Sequence, residues 1–258
     1  MTDVTTDTKT PKILYLDVDY RISGTASIGS DERIEQVFGF KPLHIKNFQS
    51  FDKFVKDNIE EYKVSDFENA FRFKPPYDDV DIVVVDSLTG LQTQIKRDLQ
   101  KTGNMTMDLW GKLGDKMERL LHTFCCMSVD VIFTIHSKDV EDGEFQRRIE
   151  IPGLQGSVKD NLARYLDVMI YTTVSTNKLS KVTNFQWQVI PDEHRNARAL
   201  PGISDFASET NGIIDQDYKL LFNLIRKSVT GPVKIGIIGF PGTGKTHSCR
   251  TLKNVEIL

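Results

Sequence analysis

One eight-residue segment near the end of the chain has the residue types and spacing of a phosphate-binding loop. Residues 239–246 read GFPGTGKT, which fits the pattern G-x-x-x-x-G-K-[ST], and the apolar run VKIGII leads into them. Glycines let such a loop wrap tightly, so its backbone N–H groups can point at phosphate oxygens, and the positive end of the following helix strengthens that field. This segment, called the P-loop below, predicts a triphosphate site.

Two side chains of the P-loop have tasks that follow from their chemistry. Lys245 can reach the β- and γ-phosphates of ATP, and Thr246 can offer its hydroxyl to Mg²⁺. We expect the contacts to the nucleotide to come from the loop and the residue after it, which are Gly239, Phe240, Pro241, Gly242, Thr243, Gly244, Lys245, Thr246 and His247.

A triphosphate site of this kind also needs carboxylates at the ends of buried strands. Asp86 closes the apolar run DIVVVD and is predicted to hold Mg²⁺ together with Thr246. Asp17 and Asp19 close the run KILYLDVD, at the strand end where open α/β sheets bind their ligands. We favour Asp19 as the general base or water-orienting group, and the choice between it and Asp17 stays open.

The elements that must position these residues alternate between strand and helix, which predicts an α/β domain with a mostly parallel sheet. Strands are predicted at residues 12–19, 81–86, 129–135, 168–174, 185–190 and 233–238. Helices are predicted at residues 31–38, 50–61, 106–124, 161–167 and 217–227, with another that ends near residue 99. Residues 71–79 are predicted as a loop, 137–156 as a loop or mobile hairpin, and 192–212 as turn-rich.

Composition excludes several classes of protein. No run approaches the roughly 18 apolar residues of a membrane span, and the first twelve residues lack the apolar core of a secretory signal. Three cysteines predict reduced thiols and a cytoplasmic location, which would be the host cytoplasm for a phage-encoded chain. A net charge of −3 disfavours bulk nucleic-acid binding, so any DNA contact must come from a local basic patch. We expect a disordered tail over residues 1–11 and one domain over residues 12–258.

The order of the motifs is unusual, because most P-loop ATPases carry the phosphate loop before the acidic strand. A βαβ unit needs about 30 residues, and the printed sequence reaches VEIL only a few residues after the P-loop. Joining residue 258 to residue 12 would give a complete phosphate loop, helix and acidic strand. We therefore predict a circularly permuted domain, and the alternatives are two half-domains or a strand supplied by a neighbouring chain.

Read in that rejoined order, the chain resembles the RecA-like recombinase ATPases, and most of all the short phage-encoded members that act in single-strand annealing or recombination. The resemblance rests on the P-loop and on six further segments, which are LYLDVD, DIVVVDSLTGL, DLWGKLGDKMERLLHTF, VDVIFTIHSK, GLQGSVKDNLARYLDVMIY and HRNAR. It implies a RecA-like P-loop core in which Asp19 is the catalytic carboxylate, Asp86 belongs to the acidic strand and His136 senses the γ-phosphate.

The resemblance also implies contacts to single-stranded DNA and to neighbouring subunits. Two loops of such proteins line the DNA path, and the basic residues at those places here are Lys96, Arg97, Lys101, Lys138, Arg147 and Arg148. Arg195 and Arg198, in the segment HRNAR, would reach an ATP bound on the next subunit of a homo-oligomeric ring or filament. For all of these residues the alternative is an ordinary solvated surface.

Three functions remain open on the sequence. The leading hypothesis is a DNA-dependent, Mg²⁺-requiring ATPase of the recombinase class. The second is a P-loop kinase or phosphotransferase, in which residues 137–156 would form a lid over an acceptor. The third is an ATP-holding assembly or loader protein with little turnover and little dependence on DNA, which the negative net charge favours.

Overall fold

The computed structural model describes residues 10–19, 31–65, 68–142, 147–176, 181 and 183–255. Most of the predicted tail, residues 1–9, lies outside this part of the chain. The strands of the described part are β1 (Ile13–Asp17), β2 (Pro42–His44), β3 (Ile59–Ser65), β4 (Glu68–Phe73), β5 (Ile82–Asp86), β6 (Asp130–Asp142), β7 (Arg147–Pro152), β8 (Val168–Thr176), β9 (Thr183–Gln188), β10 (Ile213–Asp215) and β11 (Lys234–Gly239). Its α-helices are α1 (Asp31–Phe38), α2 (Phe48–Asn58), α3 (Leu88–Leu99), α4 (Met107–Cys125), α5 (Ser157–Tyr165), α6 (Pro201–Ala207), α7 (Tyr218–Arg226) and α8 (Lys245–Ser248).

The central sheet has the strand order β10-β9-β8-β11-β6-β5-β1-β2, and β7 pairs with the far half of β6. The six strands from β8 to β2 are parallel to one another, whereas β9 and β10 continue the sheet antiparallel at one edge. The predicted α/β fold with a mostly parallel sheet is therefore confirmed.

Apolar residues cover both faces of this sheet, as its sequence runs predict. Every residue of β5 and β11 is buried. One face packs against α2, α3, α4 and α5, and the other packs against α1, α6, α7 and the helical turn of residues 249–254. Helices on both faces leave only the strand ends open to ligands.

The P-loop strand β11 lies in the middle of the sheet although it follows all the other strands in sequence. It pairs with β6 on one side and β8 on the other. The register places Asp17 beside Asp86 and Asp86 beside Thr134, and it places Gly239 beside His136. The carboxyl ends of β1, β5, β6 and β11 therefore meet at one edge.

Strands β3 and β4 form an antiparallel hairpin that the sequence analysis did not predict. The predicted helix 50–61 ends at Asn58, and part of the predicted loop 71–79 belongs to β4. Buried Phe73 and half-buried Phe71 pack against the main core. The hairpin thus covers a helical face, and this packing partner is invisible in a local sequence pattern.

Three other segments differ from the prediction in detail. Residues 137–142 of β6 pair antiparallel with residues 147–152 of β7, and this pair of segments, the β6–β7 hairpin, is one of the two predicted alternatives. The helix predicted at residues 161–167 is α5, which begins earlier, at Ser157. The turn-rich region 192–212 contains α6, which begins at Pro201. Proline is favoured at the first helical position because the backbone N–H groups of the first turn have no acceptor within the helix, so the lack of an N–H costs nothing there.

All three cysteines are free, as expected for reduced thiols. Cys125 closes α4 and Cys249 is fully buried. No helix in the described part combines the length and the apolar character that crossing a bilayer requires.

Candidate active site

The carboxylate of Asp86 is the point at which four elements of the site meet. It is almost fully buried at the end of β5. Its Oδ2 accepts hydrogen bonds from Tyr15 on β1 and from Thr246, the latter at 2.7 Å, and its Oδ1 accepts one from Thr134 on β6. The P-loop threonine and the acidic strand therefore touch within one subunit.

The lysine of the P-loop is held inside its own loop. Lys245 Nζ is buried and donates to the carbonyl oxygens of Gly239 at 2.7 Å and Phe240 at 2.8 Å. Gly242 and Gly244 have φ angles of +83° and +87°, in the left-handed region that favours glycine. These turns let the loop fold back on itself, so the lysine is held against the backbone of the predicted phosphate-binding loop.

Asp19 lies beside Asp86 and next to the predicted sensor. Its Oδ2 accepts a hydrogen bond of 2.7 Å from the Ser87 hydroxyl and lies 3.3 Å from Nε2 of His136. The backbone N–H of His136 in turn donates to Thr89 at 2.9 Å. The ends of β1 and β5 and the middle of β6 thus bring together Asp19, Asp86 and His136, the residues predicted as catalytic carboxylate, metal ligand and sensor.

The absence of a side chain at Gly90 leaves room for the carboxylate of Asp19. A Cβ added to Gly90 would lie 1.8 Å from Oδ1 of Asp19, far inside van der Waals contact. The carboxylate therefore occupies the space that any other side chain at position 90 would fill.

Asp17 has a different environment from Asp19. Its side chain is fully buried, and its Oδ2 lies 3.0 Å from Nδ1 of His44 on β2. Asp17 is thus enclosed next to His44, whereas the Asp19 side chain is 13% exposed.

Burial sets the charge states of two groups in the site. Burial, and then the neighbouring carboxylate of Asp86, raise the pKa of the Tyr15 phenol well above its usual value. Tyr15 therefore remains a proton donor to Asp86 at neutral pH. Burial, together with the charge of Arg250, lowers the pKa of His247, so this imidazole is neutral beside the P-loop.

The oxygens of Thr246 and Asp86 fit the requirements of Mg²⁺ in a triphosphate site. Magnesium in such sites is held by one or two protein oxygens, and phosphate and water oxygens complete its octahedron. No group of three or more His, Cys, Asp or Glu side chains in the described residues is arranged to hold a metal by itself. A threonine hydroxyl 2.7 Å from a buried carboxylate supplies the two oxygens that this arrangement needs.

Lys96 and Lys101, two of the six predicted DNA-contacting residues, contact other side chains of the fold. Lys96 lies 4.9 Å above the ring of Trp110 and donates to Gln155, and Lys101 pairs with Asp98 at 2.7 Å. The side chains of the others are exposed, Arg97 on α3 and Lys138, Arg147 and Arg148 on the β6–β7 hairpin. The hairpin register places Arg148 opposite Glu141.

Arg195 and Arg198 both have partners in their own subunit. Arg195 pairs with the buried Glu150 at 2.7 Å and with Asp192 at 3.3 Å. Arg198 donates to the carbonyl oxygens of Ala163 and Leu166, at the C-terminal end of α5. The structure does not bring either arginine to Asp86, and their action on a neighbouring subunit stays a prediction.

Several residues of the site were not predicted from the sequence. Tyr15 and Thr134 bind Asp86, Ser87 binds Asp19, and Gly90 leaves room for it. Thr134 gave a signal, because it is a polar residue within the apolar run VIFTI, and a buried hydroxyl needs a hydrogen-bond partner. Tyr15 gave none, since a tyrosine in a strand is ordinary.

The comparisons with known proteins identify the family. A family model described as an AAA domain matches residues 2–199, which are 198 of the 258 residues. The chain therefore belongs to the AAA domain family, and this membership supports a P-loop ATPase that binds and hydrolyses a nucleotide. The matched segment contains Asp19, Asp86 and His136, whereas the P-loop lies after it and is separate evidence. No curated protein and no solved structure matches the chain.

The close approach of Asp19 to residue 90 yields a prediction. In Gly90→Ala the new methyl group collides with the carboxylate, so Asp19 must leave Ser87 and His136. We expect ATP turnover to fall by roughly 10²-fold or more, because a positioned acid–base group contributes about 10²- to 10⁴-fold, while the Kd for ATP changes less than about threefold.

The control is Gly111→Ala at an exposed position of α4, where an added Cβ meets nothing within 4 Å. Alanine favours helix over glycine by about 1 kcal/mol, so this variant should keep its turnover and gain thermal stability. Steady-state phosphate release and equilibrium ATP binding measure both variants. Unchanged turnover in Gly90→Ala would show that Asp19 has no part in hydrolysis.

Proposed function

We propose that this protein is an ATP-hydrolysing member of the RecA-like recombinase class that binds single-stranded DNA and promotes annealing or recombination. The observation that carries the proposal is the meeting of Thr246, Asp86 and Asp19 at one edge of the sheet. AAA domain membership supports the ATPase part. The DNA part rests on the resemblance of the motifs and on the position of the β6–β7 hairpin.

In the proposed reaction the chain positions a triphosphate and a water molecule. The backbone N–H groups of the P-loop and the ammonium of Lys245 bind the phosphates, and Thr246 and Asp86 hold Mg²⁺. When bound, Mg²⁺ supplies charge neutralisation at the β- and γ-phosphate oxygens.

Asp19 orients the attacking water and accepts its proton. The water oxygen bonds to the γ-phosphorus while the bond from that phosphorus to the bridging oxygen of ADP breaks. The products are ADP and inorganic phosphate. His136, 3.3 Å from Asp19, stands where it can sense whether the γ-phosphate is present.

The same histidine links the nucleotide site to the exposed hairpin. His136 belongs to β6, which continues without a break through residues 137–142, its half of the β6–β7 hairpin. A shift of His136 on phosphate release would therefore be transmitted along one strand to Lys138, and across the ladder to Arg147 and Arg148. Such a connection would let the nucleotide state control basic side chains that hold single-stranded DNA.

The proposal extends to a homo-oligomer, a ring or filament with ATP at the subunit interfaces. In this assembly Arg195 or Arg198 would stabilise charge on the phosphoryl group of the adjacent subunit. Each arginine would first have to exchange its present partners, which are Glu150 and Asp192 for Arg195 and the end of α5 for Arg198.

We also propose that the domain is circularly permuted. The helical turn after the P-loop and strand β1 contribute to the same core cluster, which contains Cys249, Leu252 and Tyr15. A chain leaving this turn could therefore enter β1 directly and complete a strand–helix–strand unit. The central position of β11 supports this order of connection, since it pairs with β6 and β8 as an integral strand.

A second candidate function, an ATP-dependent assembly or loader protein, is favoured by the charges of the hairpin. Arg148 faces Glu141, and exposed Asp139 lies next to Lys138, so acidic side chains dilute the basic patch. This candidate keeps the same ATP site and predicts that DNA leaves turnover unchanged.

The central test is ATP turnover with and without single-stranded DNA. We expect DNA to raise turnover, and we expect Lys245→Ala to lower it by about 10²- to 10³-fold, as removal of a preorganised charge contact does. The variant should keep its circular dichroism spectrum, and exposed Lys53→Ala on α2 is the matched control. If DNA does not stimulate turnover, and the protein does not retain DNA in the presence of a non-hydrolysable ATP analogue, the loader function is favoured.

The hairpin gives a separate prediction for DNA affinity. Each lysine or arginine that contacts a phosphate of single-stranded DNA adds about 0.7 to the salt slope of log K. The double variant Arg147→Ala, Arg148→Ala should therefore reduce this slope by roughly 1.4. Fluorescence anisotropy over a salt series measures it, and exposed Arg164→Ala on α5 should leave the slope unchanged. An unaltered slope in the double variant would remove the hairpin from the DNA site.

Circular permutation predicts that the chain tolerates rejoining. A linker of about 15 Gly and Ser residues, with an average reach of roughly 20 Å, would join residue 258 to residue 10, and new termini would open at the exposed Thr230. We expect this protein to fold and to bind ATP within about threefold of the original Kd, because every strand pairing is preserved. A second rejoined chain, with its termini opened inside β11 after Gly236, should not fold. Calorimetry compares the original protein with the two rejoined variants. A first variant that stays unfolded would contradict the permutation.

A further inference from the structure

An exposed aromatic ring lies against the last glycine of the P-loop. Phe185 on β9 is 40% exposed, and its Cδ1 lies 3.0 Å from the position that a Cβ on Gly244 would take. A phenyl ring so exposed leaves hydrophobic area in water, which is unfavourable unless something covers it. Its position beside the phosphate cradle makes a flat part of the nucleotide a suitable cover.

A side-chain amide of fixed orientation lies next to the same glycine. Gln216 Nε2 donates to the carbonyl oxygens of Gln186 at 3.1 Å and Thr243 at 3.0 Å. Since both of these partners are acceptors, the nitrogen must face them and the oxygen must face away from them. Gln216 Oε1 lies 2.7 Å from the same hypothetical Cβ on Gly244 and accepts no hydrogen bond from another described residue.

Both side chains lie on the flank of the P-loop opposite the catalytic carboxylates. Strand β11 has β6 on one side, towards Asp86 and Asp19, and β8 on the other, towards β9 and Phe185. The γ-phosphate must lie near Asp19 if that residue orients the attacking water. The other end of the nucleotide, the base, is then directed away from the carboxylates, towards the flank of β8 and β9.

We infer that Phe185 and Gln216 form the nucleobase subsite and select adenine nucleotides over guanine nucleotides. The inference rests on the proposed function, since it assumes that the P-loop holds a nucleoside triphosphate. The base stacks on the Phe185 ring, as bases do on aromatic side chains. Its 6-amino group donates to Gln216 Oε1, whereas the 6-oxo group of guanine would place an acceptor against an acceptor.

The experiment compares the Kd values of ATP, GTP and inorganic tripolyphosphate by isothermal titration calorimetry with Mg²⁺ present. In the wild-type protein we expect ATP to bind roughly tenfold more tightly than GTP. The unpaired polar groups in the GTP complex weaken binding only in part, because water still reaches the half-exposed site. Phe185→Ala should weaken ATP roughly tenfold, the effect of one lost base–aromatic stack. Its Kd for tripolyphosphate should stay within about twofold, since this ligand has no base, and Phe185→Tyr should restore ATP binding.

Two further variants separate the inference from structural effects. Phe206→Ala removes another exposed phenylalanine, on α6, where the ring is 44% exposed, and should leave all three Kd values unchanged. Gln216→Leu removes the hydrogen bond from Gln216 to the P-loop carbonyl of Thr243, so the affinities for all three ligands should fall. The informative value is therefore the ratio of ATP affinity to GTP affinity, which should approach one.

The inference is overturned if Phe185→Ala leaves ATP binding intact or weakens tripolyphosphate as much as ATP. It is also overturned if Gln216→Leu keeps the wild-type preference for ATP, because selection by the amide oxygen would then be wrong. A wild-type protein that binds neither ATP nor tripolyphosphate would overturn the proposed function itself, and this outcome is distinct from the others.

Discussion

The hydrogen bonds around the buried carboxylate of Asp86 are the constraint on which the rest of the site depends. A carboxylate withdrawn from water is costly unless several donors satisfy it. Here three hydroxyl groups do so, and each belongs to a different element, namely Tyr15 on β1, Thr134 on β6 and Thr246 at the end of the P-loop. Satisfying one charge therefore fixes the relative positions of three strand ends and the P-loop.

The second constraint is that the catalytic edge and the exposed hairpin share a strand. The first half of β6 is buried in the parallel sheet, and its second half pairs with β7 outside the sheet. His136 stands where the strand leaves the sheet, next to Asp19. Gln92 extends this link from α3, because its amide exchanges hydrogen bonds of 3.0 and 2.8 Å with the backbone of Gln155, just beyond β7. Rigid connections of this kind can carry a local change in the nucleotide to a distant surface.

The sequence was most informative where chemistry and burial both restrict the choice of residue. The glycines and Lys245 of the P-loop, and the apolar runs that end in Asp19 and Asp86, could be recognised because few alternatives satisfy the same physical demands. The β3–β4 hairpin could not be predicted, since it depends on a helical face distant in sequence. The contacts of Lys96 with Trp110 and of Arg198 with the end of α5 could not be predicted either. A local sequence pattern does not show whether a charged side chain is surrounded by water or by other residues of the fold. Long-range partners, which local patterns do not encode, decide such cases.

The position of β11 in the sheet has a consequence for how the protein is made. A ribosome synthesises the other ten described strands first, so β6 and β8 must wait, with open backbone edges, for the strand that finally separates them. Both strands that pair with β11 are distant from it in sequence, and folding slows as the sequence separation of contacting residues increases. Unpaired edges of apolar strands invite association between nascent chains. Production of this domain should therefore depend on chaperones, and on slow growth at low temperature, more than its size alone suggests.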